Sequence, residues 1–320
     1  MRRYCLITHF LLLFSLSLSA QKIVFTPQWK PQSQFAGYYA AQKLGYYKEA
    51  GLDVNFLYME ASTAAITSLR ENRSQVITLM LSQALKECDE GNQLVNLLQT
   101  SQRSSLVLIS NPDKPLNQVS QFKGIRIGYF NAGFNEIPEA FNRIARLGWE
   151  PIYFEQSFNL LLYGVIDATV AMEYNEMQQV IYSGVSVSEK NVFRFADHGY
   201  NVPEDGLYTT KAYYETHKRE MDAFAEASRK GWEWVHKHPK EALDIVMEEI
   251  EKAVKEKEKE ESESNRIASP YTKAAPIKSN KQFIFILVLI IVLIVIAIIW
   301  SIKQITVGST GANIASYFNK

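Results

Sequence analysis

Between residues 22 and 247 the chain alternates short apolar, β-branched runs with longer amphipathic stretches. KIVFTP (22–27) has strand composition, and FAGYYAAQKLGYYKEAG (35–51) reads as a helix stopped by Gly51. LDVNFLYM (52–59) is a second strand, and STAAITSLREN (62–72) is a helix that starts on a good N-cap, Ser62. QVITLML (75–81) is a strand and SQALKECDEG (82–91) a helix closed by Gly91; QLVNLLQ and SLVLIS follow as strands. This βαβα rhythm predicts a mostly parallel sheet with helices on both faces.

The rhythm restarts after FKG (122–124), which reads as a helix end. IRIGYF (125–130), PIYFE (151–155), DATVAM (167–172) and NVFRFA (191–196) are strand-like, while EIPEAFNRIARLG (136–148) and residues 174–184 are helix-like. GLYTT (206–210) and helices through 211–247 close the unit. Two sheets from one chain predict an α/β fold of two lobes. Lobe 1 takes about 21–105 and 205–247, and lobe 2 is inserted at about 106–204. Crossovers are expected near 103–110 and 198–208. Open α/β sheets bind ligands at the carboxyl ends of their strands, so two facing lobes offer two such edges to one cleft.

Both ends depart from this pattern. Residues 1–20 begin with Arg2 and Arg3, continue through the apolar FLLLF (10–14), and end on Ser19-Ala20. That is the layout of a secretory signal peptide, cut after Ala20 or after Ser19. A buried helix or an uncleaved anchor is the other reading, although the apolar stretch is short for a span. Residues 283–300, FIFILVLIIVLIVIAIIW, carry no polar side chain. At 1.5 Å per residue they cover about 27 Å, close to a bilayer core of ~30 Å. A transmembrane helix is therefore expected at 283–302, flanked by Lys281 and Lys303, with Trp300 suited to the interface. With export, residues 21–280 form an extracytoplasmic domain anchored in the cytoplasmic membrane, and 303–320 a short cytoplasmic tail. Between domain and span, EEIEKAVKEKEKEESE (248–263) has charge spacings that support a solvated helix, and a proline-containing segment follows. Residues 248–282 are thus expected to be a charged stalk or linker.

Charge and composition narrow the chemistry. Lys+Arg and Asp+Glu each number 34, so the net charge is zero, which argues against a partner held through phosphates. Two cysteines, Cys5 and Cys88, cannot build a disulfide framework or a cysteine-rich metal site. His236 and His238 are two apart, about 200° around a helix, and cannot share a metal. GxGxxG and Walker patterns are absent. No cofactor, metal or nucleic acid is expected.

The ordered set TPQWKPQSQFAGYYAAQKLGYYKEAGLDVNF, GNQLVNLLQTSQ, FKGIRIGYFNAGF, AMEYNE (171–176), NVPEDGLY (201–208) and ASRKGWEW…HPKEALDIV resembles the THI5/NMT1-like substrate-binding proteins over about 22–247. That family is related to receptors for thiamine-pyrimidine precursors, sulfonates and nitrate. The resemblance implies a bilobed periplasmic-binding-protein fold of the second topological type, closing on a small solute. Such domains usually continue with more helices after the HPKEALDIV-like element. Here the charged run starts at once, so either a trimmed first lobe or a shortened or rearranged chain is expected.

Candidate ligand contacts follow from strand ends. Trp29 lies in the loop after the first strand, as a ring-stacking wall or a core cap. Gln34 and Tyr38 are four apart on one helical face and offer an amide and a hydroxyl. Ser62 and Ser82 begin helices after strands, as anion or ring-acceptor donors or as plain caps. Gln99, Gln102 and Ser104 lie near the first crossover, in cleft floor or hinge. In YFNAGFNE (129–136), Asn131 and Phe134 are best placed to wrap ligand oxygens. Tyr174, Asn175 and Glu176 follow DATVAM. Glu176 is expected to accept hydrogen bonds from an amino-pyrimidine or amine-like group with Tyr174 as wall, or to be a first-turn residue favoured by the helix dipole. Asp205, in the second crossover, faces the cleft or caps a turn.

The reading is a membrane-tethered receptor for a small planar polar solute, pyrimidine-like or sulfonate/nitrate-like, serving an ABC permease or a membrane signalling partner. The rival is an enzyme: fungal relatives make the thiamine pyrimidine with a histidine and a cysteine-rich loop. The segment 28–38 has Gln34 and no histidine, and no cysteine cluster exists, so a binding protein and not an enzyme is expected. A third reading is a decayed binding domain of a membrane sensor.

Overall fold

The apolar runs pair into two separate five-stranded sheets in the computed structural model, which describes residues 20–59, 62–131, 134–154 and 158–268. The first sheet holds β1 (Gln21–Thr26), β2 (Leu52–Phe56), β3 (Val76–Leu79), β4 (Leu94–Gln99) and β10 (Gly206–Thr210), in the order β2-β1-β3-β10-β4. The second holds β5 (Leu106–Ser110), β6 (Arg126–Phe130), β7 (Glu150–Phe154), β8 (Ala168–Met172) and β9 (Val192–Arg194), in the order β7-β6-β8-β5-β9. Strand β1 runs parallel to β2 and β3, and β6 parallel to β7 and β8.

Neither sheet is parallel throughout. Strand β10 opposes β3 and β4, and β5 opposes β8 and β9. Each is the strand by which the chain arrives from the other lobe. A chain leaving one sheet at its carboxyl edge enters the facing sheet at the matching edge, so it must run back against its neighbours. The crossovers between the sheets are residues 100–105 and 199–205. The first is displaced from the expected 103–110 because Leu106 already belongs to β5.

The helices are α1 (Ala36–Lys43), α2 (Tyr46–Glu49), α3 (Ser62–Arg70), α4 (Leu81–Asp89), α5 (Glu136–Ala145), α6 (Asn159–Leu162), α7 (Glu176–Tyr182), α8 (Lys211–Thr216), α9 (Lys218–Lys237) and α10 (Pro239–Ala268). The single helix expected at 35–51 is broken at Gly45. That residue takes φ +82°, a conformation open to glycine, and the chain resumes as one turn, α2.

Phe25 of β1 is the centre of the first core, with Tyr38, Phe56 and Phe224 around it at 5.0, 5.2 and 5.4 Å between ring centroids. The second core gathers Phe122, Phe141, Phe193 and Phe195. Helices α1 and α9 cross with their backbones almost touching. A Cβ on Gly231 would run into the Gly37 carbonyl and lie 2.9 Å from the Ala41 methyl, and a Cβ on Gly37 would enter the Trp232 ring. Two glycines thus set how closely α9 lies on α1, and they draw Trp232 over it.

Helix α10 crosses the position, 247/248, where the sequence places the start of a stalk. Ala242, Val246 and Ile250 are buried on its inner face. Beyond them Glu249–Lys252 (3.5 Å) and Glu251–Lys255 (3.7 Å) pair along its surface. Thirty residues make a rod about 45 Å long. Among the described residues no helix is long and apolar enough to cross a membrane. The expected signal peptide (apart from Ala20) and the expected span at 283–302 lie outside the described residues.

Candidate functional site

The carboxyl end of β1 leads into a loop whose first polar residue, Gln28, is fully buried. Its backbone N–H donates to Thr78 Oγ1 (2.8 Å), which fixes the loop on β3. Its side-chain Nε2 donates to Asp205 Oδ1 (2.7 Å), and Gln34 Nε2 donates to the same oxygen (2.6 Å). Asp205 ends the second crossover with a left-handed φ of +52°, and Thr100 of the first crossover donates its hydroxyl to the Asp205 carbonyl (2.7 Å). Asp205 is only 7% exposed. Burial pushes its carboxyl up to about 7 and the neighbouring Glu204 adds repulsion, while the two amides oppose the shift by favouring the anion.

Glu204 ties the crossovers together. Its carboxylate accepts from Ser104 Oγ (2.6 Å), Ser105 N (2.8 Å) and Ser105 Oγ (2.8 Å). Burial still holds it above the usual carboxylate range. Asn201 adds a second tie, accepting from the Ser104 N–H (2.8 Å) and donating to the Gln102 carbonyl (3.3 Å). On the outside Arg103 pairs with Asp197.

Lobe 2 contributes the turn after β8. Glu176 accepts from Met172 N (2.8 Å) and Asn175 Nδ2 (2.7 Å), so it closes the strand end. Burial raises its carboxyl, with Glu204 adding repulsion. The same Asn175 amide reaches Gln32 Oε1 at 3.5 Å, and Gln32 Nε2 donates to Gln34 Oε1. A chain of amides therefore runs from Glu176 in lobe 2, through Asn175, Gln32 and Gln34, to Asp205 at the hinge. Burial also lifts the Tyr174 hydroxyl well above its ordinary range, helped by Asp205, Glu204 and Glu176. A second bridge is aromatic: Trp29 of lobe 1 meets Phe134 of lobe 2 edge-on, 5.5 Å between centroids.

Beside this seam, on the crossover side, lies a cavity of about 380 Å³. Its polar end is made by Gln34, Thr100, Tyr174, Glu204 and Asp205, and Arg103, already paired with Asp197, also lines it. Its other end is apolar and belongs to α9 and α10. Among the described residues Glu176, Glu204 and Asp205 have no ion-pair partner, and no cluster of His, Cys, Asp or Glu could hold a metal.

Of the residues singled out from sequence, Gln34, Tyr174 and Asp205 line this cavity. Trp29, Asn175 and Glu176 stand on the seam next to it. Tyr38 does not share a cleft-facing surface with Gln34. Gln34 sits in a 3-10 turn before α1, and the rotation carries Tyr38 into the core, fully buried between Phe25 and Trp232. Gln102 is exposed in the hinge, where it donates to the Gln99 carbonyl (3.2 Å). Asn131 is an exposed residue just past β6, its N–H on the Phe154 carbonyl (3.1 Å). Ser62 opens α3, and Ser82 is the second residue of α4, whose start is capped instead by Gln83 accepting from Met80 N (3.3 Å). Tyr38, Gln102, Asn131 and Ser82 do not line the cavity. Sequence reasoning misses Gln28, Gln32, Thr100 and Glu204. Gln28 carries a usable signal, being next to Trp29 at a strand's carboxyl end. Glu204 carries none without knowing which serines it meets.

The family model described as NMT1/THI5 like matches residues 32–242. The formylaminopyrimidine-binding protein of Halalkalibacterium halodurans is 26% identical over 239 residues, covering 68% of each chain. The riboflavin-binding protein RibY of Chloroflexus aurantiacus is 23% identical over 247 residues, covering 73% of this chain and 68% of the relative. Among solved structures, the periplasmic aliphatic sulphonate binding protein SsuA from Escherichia coli shares the fold with a TM-score of 0.57 at 12% identity, over 72% of this chain and 79% of that one. These relatives are named as binding proteins, in line with the expectation of a binding protein over an enzyme.

Proposed function

The chain belongs to the NMT1/THI5-like family of solute-binding proteins, and from that premise we propose that it takes a small, flat, amino-bearing nitrogen heterocycle of the thiamine-pyrimidine class. The observation that carries this is the polar end of the cavity: Glu204 and Asp205, buried and raised by burial, with no ion-pair partner among the described residues. Such an end favours a ligand that brings N–H donors or positive charge. A sulfonate or nitrate would set an anion against two carboxyl groups, and the Arg103 guanidinium on the same lining is already paired with Asp197. Tyr174 forms one wall, and Trp29 with Phe134 stands at the seam where a flat ring would enter. The formylaminopyrimidine and riboflavin relatives, both named for ring heterocycles, support the class.

Binding would bring the lobes together about residues 100–105 and 199–205, replacing the weak 3.5 Å Asn175–Gln32 contact with ligand-mediated ones. In this reading the domain is exported and tethered, and a membrane partner of ABC-permease type reads the closed state. The test is a thermal-shift series with 4-aminopyrimidine and its 2-methyl-5-hydroxymethyl derivative against taurine and nitrate. The aminopyrimidines should raise the melting temperature at millimolar concentration or below. A response to taurine or nitrate alone would overturn the assignment.

A further inference from the structure

The cavity is larger and more apolar than a single amino-bearing ring requires. From its carboxylate end it runs along a wall of Trp232, Val235, Ala242, Leu243 and Val246, supplied by the last turns of α9 and the first turns of α10. On α10 these apolar residues recur at the three- and four-residue spacing of one helical face. Ala242 and Val246 are buried, while Leu243, Val235 and Trp232 are half-buried and line the open space. The Trp232 ring lies edge-on to the buried Tyr38, 5.7 Å between centroids, which fixes it as one side of this wall. At about 380 Å³ the space is within the range of sites for ligands larger than a monocycle.

We propose that the solute is two-part: an amino-bearing head at Glu204 and Asp205, joined to an apolar arm of about ring size that lies along Trp232, Val235 and Leu243. This rests on the binding function proposed above and adds a demand on ligand shape. The head needs donors because neither hinge carboxyl group has an ion-pair partner among the described residues, Arg103 on the same lining being paired with Asp197. The arm must be apolar because α9 and α10 present no charged side chain to the cavity. A fused second ring satisfies both conditions without adding rotatable bonds to be frozen on binding.

The experiment compares 4-aminopyrimidine with 4-aminoquinazoline, the same head carrying a fused benzene ring, by calorimetric titration of the full chain. The apolar area gained predicts tighter binding of the quinazoline by on the order of 10-fold or more. Leu243→Gln and, separately, Val235→Thr should cut that advantage, read as the ratio of the two affinities in the same variant, to about threefold or less. Equal affinity for the two probes in the unmodified chain overturns the arm while leaving the head assignment standing. A quinazoline advantage that persists in both variants also overturns it, because the arm then lies elsewhere. Binding of neither probe overturns both readings together. Circular dichroism of each variant separates lost packing from lost fold.

Discussion

Replacing Asp205 by Asn should stabilise the protein, and increasingly so as the pH rises. The native carboxyl is lifted from 3.8 to about 7 because it is buried beside Glu204. Between those values the folded state holds a proton that the unfolded state has released. Unfolding stability therefore falls as pH climbs from about 4 to about 7, and is level above that. The rise corresponds to roughly 4 kcal/mol above pH 7 and about 1–2 kcal/mol at pH 5. An asparagine side chain here would keep an Oδ1 to accept from Gln28 and Gln34, and asparagine tolerates the left-handed φ of +52°. Urea titrations followed by tryptophan fluorescence at pH 5 and pH 8 measure the difference. Asp205→Asn should gain a few kcal/mol at pH 8 and clearly less at pH 5, with affinity for an aminopyrimidine reduced at both. A gain independent of pH, or a loss at pH 8, would refute the claim that this carboxyl is an unpaired buried acid.

Four further outcomes follow from the same geometry. Gly231→Ala should destabilise by about 1–3 kcal/mol or more in denaturant, because the new methyl has only the Gly37 carbonyl and Ala41 to enter; an unchanged midpoint would show that α1 and α9 do not cross so closely. Glu204→Ala should cost roughly 1–3 kcal/mol by stranding the buried Ser104 hydroxyl and two half-buried donors of Ser105, and amide exchange should quicken at residues 100–105; unchanged exchange there would count against the hinge tie. Trp29→Ala should weaken aminopyrimidine binding about 2- to 10-fold, read by titration, with little change in melting temperature. Glu176→Ala should lower stability by about 1–3 kcal/mol even without ligand, since it leaves the Met172 N–H without its acceptor; loss of affinity alone would mean that the carboxylate acts on the ligand and not on the strand end.

The strands are legible because their apolar runs are short and bounded by turn residues: GLYTT ends where its pattern does, at 206–210, and most others fall within two residues. What local pattern does not supply is direction. Nothing in GLYTT or SLVLIS says that these strands oppose their neighbours; that follows from which edge of the sheet the chain enters. The Gly45 break is hidden because the apolar spacing of 35–51 continues through it, and only the positive φ interrupts the helix. At the candidate site, rules about strand ends lead to Tyr174, which lines the cavity, and to Trp29 and Glu176 beside it. Tyr38 is misplaced because four-residue spacing from Gln34 assumes both sit on one α-helix, whereas Gln34 precedes it. Ser104 is marked from sequence by its place near the first crossover, but the partners of Ser104 and Thr100 are invisible locally, since they lie about one hundred positions away at Glu204 and Asp205.

The last helix leaves lobe 1 without a joint. Ala242, Val246 and Ile250 are set into that lobe, and the same rod continues to Ala268. It is therefore a lever fixed to one half of the clamp. A swing of roughly 10° in lobe 1 would carry the far end of a 45 Å rod through about 8 Å. Whatever is coupled there would register the posture of one half directly, and that of the other only through its grip on a shared guest.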